Sequence, residues 1–100
     1  MATKPIRTHF IGIGGTAMAG AALLAHELGH SVRGSDQNVY SPTKEALKEN
    51  HIHYNTEYSA KNLSYKPDLI VLGNAISRGN VELEEALNQR FRIFSLPEFI

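Results

Sequence analysis

The residue types able to do chemistry cluster first in residues 8–20, THFIGIGGTAMAG. An apolar run of Phe10, Ile11 and Ile13 leads into Gly12, Gly14 and Gly15, and Thr16, Ala17 and Met18 then open a small-residue helical pattern. A strand that turns through glycines straight into a helix aims backbone N–H groups and the positive end of the helix dipole at one spot. Such a spot takes an anion. Gly12 allows the tight turn, and Gly14 and Gly15 remove the Cβ atoms that would hold a diphosphate away from the backbone. Ala17 stands at the third small position of a G-x-G-x-x-A fingerprint, where close helix-on-strand packing is needed. Thr16 caps the helix or hydrogen-bonds a phosphate, and Met18 forms a wall. A branched residue at Gly14 is expected to abolish binding while sparing most of the fold.

Two other stretches carry polar groups at strand ends. Ser35 and Asp36 follow the next apparent strand, with Asp36 24 residues after Gly12. An acid about 20 residues beyond the first glycine is placed to read a ribose hydroxyl. Asn74, Ala75, Arg78 and Asn80 follow a third strand, and Arg78 is a candidate partner for an anionic ligand. The histidines do not make a metal site: His51 and His53 share a strand face with no third ligand type nearby, and His26 and His30 flank a helix end. No nucleophile elbow, paired-carboxylate arrangement or G-x-x-x-x-G-K-[ST] loop occurs, so the 100 residues hold no predicted catalytic group and no P-loop.

The elements that position these groups alternate. Strands are predicted over residues 7–13, 30–35, 51–54, 69–72 and 92–95, and helices over 16–28, 43–49, 56–63 and 81–89. Leu69-Ile70-Val71-Leu72 is continuously apolar, as a strand buried on both faces requires. In the last full helix Val81, Leu83, Ala86 and Leu87 are predicted to face inward, with Glu82, Glu84 and Glu85 in its first turns. Pro97 and Glu98 would open a further helix. The β-α alternation predicts a Rossmann-like open parallel five-stranded α/β sheet with helices on both faces, whose ligands lie at the carboxyl ends of the strands.

Composition bounds the rest. One hundred residues make a single domain, 42% hydrophobic and 20% charged, and no apolar run approaches the ~20 residues of a membrane span. A formal net charge of zero gives no footprint for nucleic acid or membrane. The absence of cysteine removes disulfides and thiolate metal sites and fits a reducing cytoplasm. The N-terminus carries no apolar leader stretch. The end at LPEFI is expected to be a cut through a longer protein.

The segments HFIGIGGTAMAG, LGHSVRGSDQNVY and DLIVLGNAISRGNVELEEAL together resemble the N-terminal domain of the Mur ligases of bacterial peptidoglycan metabolism, most of all the murein tripeptide ligase branch. The resemblance covers nearly the whole chain. It implies that residues 1–100 are the domain that binds the UDP part of UDP-N-acetylmuramic acid in a cytoplasmic, three-domain ligase. ATP and Mg2+ would belong to a central domain outside these residues, and the domain alone would be inactive. By motif, Gly14, Gly15, Thr16, Ala17 and Met18 would surround the diphosphate, Asp36 would face the uridine, and Asn74, Ala75, Arg78 and Asn80 would lie near the sugar, with Gly12 and Ser35 also among the substrate-binding residues. The muramate:alanine ligase branch, the cofactor half of an NAD-dependent dehydrogenase and a nucleotide-sensing regulatory domain are the alternatives.

Overall fold

The computed structural model describes residues 5–99. The expectation about the N-terminal segment falls partly on Met1–Lys4, outside the described residues, and Ile100 lies outside them too. Five strands, β1 (Arg7–Ile11), β2 (Ser31–Ser35), β3 (His53–Asn55), β4 (Leu69–Leu72) and β5 (Ile93–Ser95), pair in parallel in the order β3-β2-β1-β4-β5. Between them run α1 (Thr16–Glu27), α2 (Thr43–Glu49), a 3₁₀ turn (Ala60–Leu63) and α3 (Val81–Asn88), and α4 (Leu96–Phe99) follows β5.

The period-2 alternation of β1 explains the two-faced core. Phe10 packs with Met18, Ala22, Ala25, Leu47 and Val71 on the α1/α2 face, where Phe99 of α4 meets its ring edge-on. Ile11 packs with Leu63, Ile70 and Ala86 on the α3 face. Gly34 is required by close approach. It pairs with Phe10 across the ladder, and a Cβ there would lie 2.8 Å from the Ile13 side chain and 2.7 Å from the Phe10 carbonyl.

The boundaries depart from expectation where a single backbone angle intervenes. β1 ends at Ile11 because Gly12, at φ 89°, turns the chain out of the sheet. β3 starts at His53, since His51 has φ 58° and ends the turn after α2. The helix predicted over 56–63 shrinks to the 3₁₀ turn, which begins where the Ser59 hydroxyl accepts the Lys61 amide at 3.3 Å. Gly29, His51, Lys66 and Arg90 all have positive φ and stand just before β2, β3, β4 and β5.

The face of α3 was also mispredicted. Val81 is 51% exposed and Leu87 39%, whereas Glu82 is wholly buried beside Leu83 and Ala86. A polar network with His9 of the central strand draws the acid inward.

The order of the strands reverses at β1. Chain segments leave it toward β2 and β3 on one side, while β4 and β5 lie on the other. The loops after β1 and β4 therefore diverge and open a crevice at their carboxyl ends, where α/β sheets bind ligands.

Candidate functional site

That crevice is a cleft of about 780 Å³, within the size range of small-molecule sites. Its floor is the β1–α1 turn, with Gly12, Gly14, Gly15, Thr16, Ala17 and Met18. One wall is Asp36 and Asn38 after β2, with Tyr58 after β3. The other is the loop after β4, including Asn74, Ala75, Ser77 and Asn80, and Leu96 closes it.

The hydrogen bonds of the floor decide which amides remain for a ligand. Gly12 and Ile13 donate to the Ser35 carbonyl, at 2.8 and 3.3 Å, and Gly15 donates to the Gly12 carbonyl at 3.3 Å. Gly14 donates to Asp36 Oδ2 at 2.8 Å. Intrahelical bonding begins when Ala19 donates to the Gly15 carbonyl at 2.8 Å. The amides of Thr16, Ala17 and Met18 are thus the orphan donors of the first turn of α1, which also carries no acidic residue. They form a donor set able to hold an anion, at the positive end of a twelve-residue helix.

Of the three glycines, Gly14 takes a different part from the one expected. A Cβ on Gly14 would meet Asp36 Oδ2 at 2.7 Å and the Asn38 carbonyl at 2.8 Å, so this glycine admits the 36–39 loop. Gly15 is exposed in the cleft, and a Cβ there would meet nothing nearer than Met18 Cγ at 3.7 Å. Gly15 is the position whose bareness leaves room for a ligand. Gly15, rather than Thr16, is also the N-cap of α1, and no side chain caps this end.

Asp36 is half-buried in the wall. Oδ1 accepts from the Asn38 amide at 2.9 Å and from the Tyr58 hydroxyl at 3.4 Å. Burial pushes the Tyr58 phenol up to about 12, and the Asp36 carboxylate beside it adds to the shift. Asn80 caps α3, its Oδ1 accepting from Glu82 and Leu83 at 2.9 and 3.1 Å.

Two candidates fall outside the cleft. Ser35 is fully buried beneath it, with its hydroxyl among Asn55, Asn62 and His9. The Arg78 guanidinium, 76% exposed, donates twice to Glu84, at 2.7 and 3.1 Å, and is not a lining residue. Asn38 and Tyr58 were missed by sequence reasoning. Tyr58 stands three residues past Asn55, the last residue of β3. The rule of carboxyl strand ends would have pointed to it had β3 been ended at Asn55 and the residues after it left as a loop rather than drawn as a helix from residue 56. Among the described residues no three His, Cys, Asp or Glu side chains gather as metal ligands, and no helix is long and apolar enough to cross a membrane.

Residues 7–100 match the model of the Mur ligase family, catalytic domain. The chain belongs to the Mur ligase family. It is 42% identical over 95 residues to the UDP-N-acetylmuramate--L-alanyl-gamma-D-glutamyl-meso-2,6-diaminoheptandioate ligase of Escherichia coli K12, an alignment covering 95% of this chain and 21% of that protein. Among solved structures it superposes on the corresponding ligase of Neisseria meningitides with a TM-score of 0.90 at 35% identity, covering 96% of this chain and 30% of the other. It also superposes on the UDP-N-acetylmuramate-alanine ligase of Thermotoga maritima, with a TM-score of 0.86 at 30% identity over 94% of this chain and 21% of that one. The five-stranded parallel α/β fold is that of these Mur ligases. The chain spans about a fifth of the length of its Escherichia coli relative.

Proposed function

We propose that the cleft binds UDP-N-acetylmuramic acid, and that this Mur-family chain is the substrate-binding domain of an ATP-dependent, cytoplasmic peptidoglycan ligase. The observation that carries the reading is the anion seat. Three orphan amides at the start of α1, beside the bare Gly15, face a cleft with polar walls on both sides. A diphosphate fits the seat. Asp36, Asn38 and Tyr58 then supply hydroxyl- and amide-reading groups for the uridine, and Asn74, Ala75 and Asn80 border the sugar.

In the whole enzyme the muramoyl carboxylate would attack the γ-phosphate of ATP, giving an acyl phosphate and ADP. The amine of L-Ala-γ-D-Glu-meso-diaminopimelate would then displace phosphate and form the amide. ATP and Mg2+ would be held by another domain. The part played by this chain is orientation, since fixing one reactant makes the step effectively unimolecular. The peptide amine is favoured over alanine by the structural likeness, a TM-score of 0.90 at 35% identity for the peptide ligase of Neisseria meningitides against 0.86 at 30% for the alanine ligase of Thermotoga maritima.

Calorimetric titration of the chain with UDP-N-acetylmuramic acid, NAD and ATP tests the reading. Saturable binding of the UDP sugar alone is expected. Binding of NAD without response to the UDP sugar would sink it in favour of a dehydrogenase-type cofactor domain.

A further inference from the structure

Beneath the cleft lies a polar cluster that the anion seat does not use. His9 in β1 and Glu82 in α3 are both 0% exposed. His9 Nε2 donates to Glu82 Oε2 at 2.6 Å, while Asn62 Nδ2 and the Ser59 amide donate to Oε1 at 2.6 and 3.2 Å. Asn62 also donates to the Ser35 hydroxyl at 3.3 Å, one residue before Asp36. On the opposite side the Glu82 amide donates to Asn80 Oδ1 at 2.9 Å. Glu82 therefore joins the two walls, reaching the end of β2 through its carboxylate and Asn62, and Asn80 through its backbone amide.

Fastening α3 to the sheet does not require a charge. Replacing a buried ion pair with apolar side chains of similar volume is often neutral or stabilising, so the pair is weak evidence for stability alone. Hydrogen bonds to a carboxylate add direction, because each donor must lie on a lone pair at a short distance. The cluster is also fully satisfied, with no buried side-chain nitrogen or oxygen left without a partner.

We infer that Glu82 is a positioning residue. Through His9, Asn62 and Asn80 it sets the separation of the Asp36 wall from the 73–80 wall, and so the grip on a ligand long enough to touch both. The inference rests on nucleotide-sugar binding in the cleft. A ligand that reaches only the orphan amides does not depend on that separation.

Glu82→Gln tests it. The amide keeps the volume, and His9 can accept from it by moving its proton to Nδ1, but the charge that holds the His9 and Asn62 bonds at 2.6 Å is lost and both lengthen. The dissociation constant for UDP-N-acetylmuramic acid is expected to rise about tenfold, as misplacement of binding groups predicts. That for inorganic pyrophosphate should change by less than about twofold, since the helix terminus is untouched. Without ligand, the backbone amide NMR signals of residues 36–38 and 74–80 should shift together. Equal weakening of both probes, or unchanged UDP-sugar binding, overturns the inference. If Glu82→Gln does not fold, Asn62→Ala cuts the same link from the half-buried side and must give the same split. A parent chain that binds pyrophosphate but not the UDP sugar refutes the nucleotide-sugar reading. Amide shifts confined to the contacts of residue 82 would then refute the coupling of the walls.

Discussion

The Asp36 carboxylate holds the Gly14 amide, with Oδ2 accepting from it at 2.8 Å. The acid that the fingerprint assigns to the ligand thus first serves the loop. It consumes the donor nearest to it and leaves Thr16, Ala17 and Met18 as the unpaired amides of the turn. The family's glycine pattern is kept, but its two central glycines do separate work.

Gly15→Val should fold and fail to bind. Gly15 has φ −64° and ψ 142°, open to any L-residue, and its Cβ direction is clear of close contacts. We expect a melting temperature near the parent's and UDP-sugar affinity down by at least about tenfold, as loss of close approach to a phosphate implies. Gly14→Ala should behave in the opposite manner, losing about 1–3 kcal/mol through overlap with Asp36 and the Asn38 carbonyl. Urea melts beside calorimetry separate the two. This corrects the expectation that a side chain at Gly14 would spare the fold.

Glu82 should make the chain acid-sensitive. Burial pushes its carboxyl up, but hydrogen bonds from His9 and Asn62 outweigh it and hold the group below the usual carboxylate range. A folded-state value below the unfolded one, about 4.3, contributes stability that is present above that pH and lost as pH falls through the lowered value. Glu82→Gln should therefore flatten the decline in urea midpoint below about pH 4.3. His9→Ala, which leaves the buried carboxylate without its main partner, should cost about 3–5 kcal/mol at neutral pH.

Arg78→Ala should leave the cleft working. The hydrogen bonds from the Arg78 guanidinium, followed by that from the Gly79 amide, hold the Glu84 carboxyl at about 2. Removing the guanidinium should raise it toward the ordinary value of about 4.3, measured by carboxyl NMR titration. UDP-sugar affinity should change by less than about twofold, as an exposed pair outside the cleft predicts. A tenfold loss would show that Arg78 leaves Glu84 for the ligand.

Much of the architecture was legible because its signals are local. The apolar run 69–72, the glycine turn at 12–15 and the 3.6-residue patterns between them give strand, turn and helix almost unaided, and the parallel sheet follows from the alternation, though the strand order does not. The cleft followed in outline, since three of its loops sit at carboxyl strand ends. What escaped depends on contacts between distant segments. His9 and Glu82 are 73 residues apart, and each by itself resembles a solvated polar residue. Tyr58 was hidden by a third strand too short to place by periodicity. The service of Gly14 to the 36–39 loop is equally invisible without the fold, because a glycine's missing side chain does not say which neighbour needs the room.

The strand-entry turns at His51 and Arg90 have a use of their own. Both residues hold left-handed backbone, at φ 58° and 59°, at the edge of the sheet opposite the cleft. That conformation costs a residue with a Cβ about 1–2 kcal/mol, which exceeds the roughly 0.5–1 kcal/mol that glycine's extra freedom in the unfolded chain takes back. Heat tolerance can thus drift, or be engineered, at one rim of this molecule while the cleft at the other stays as it was.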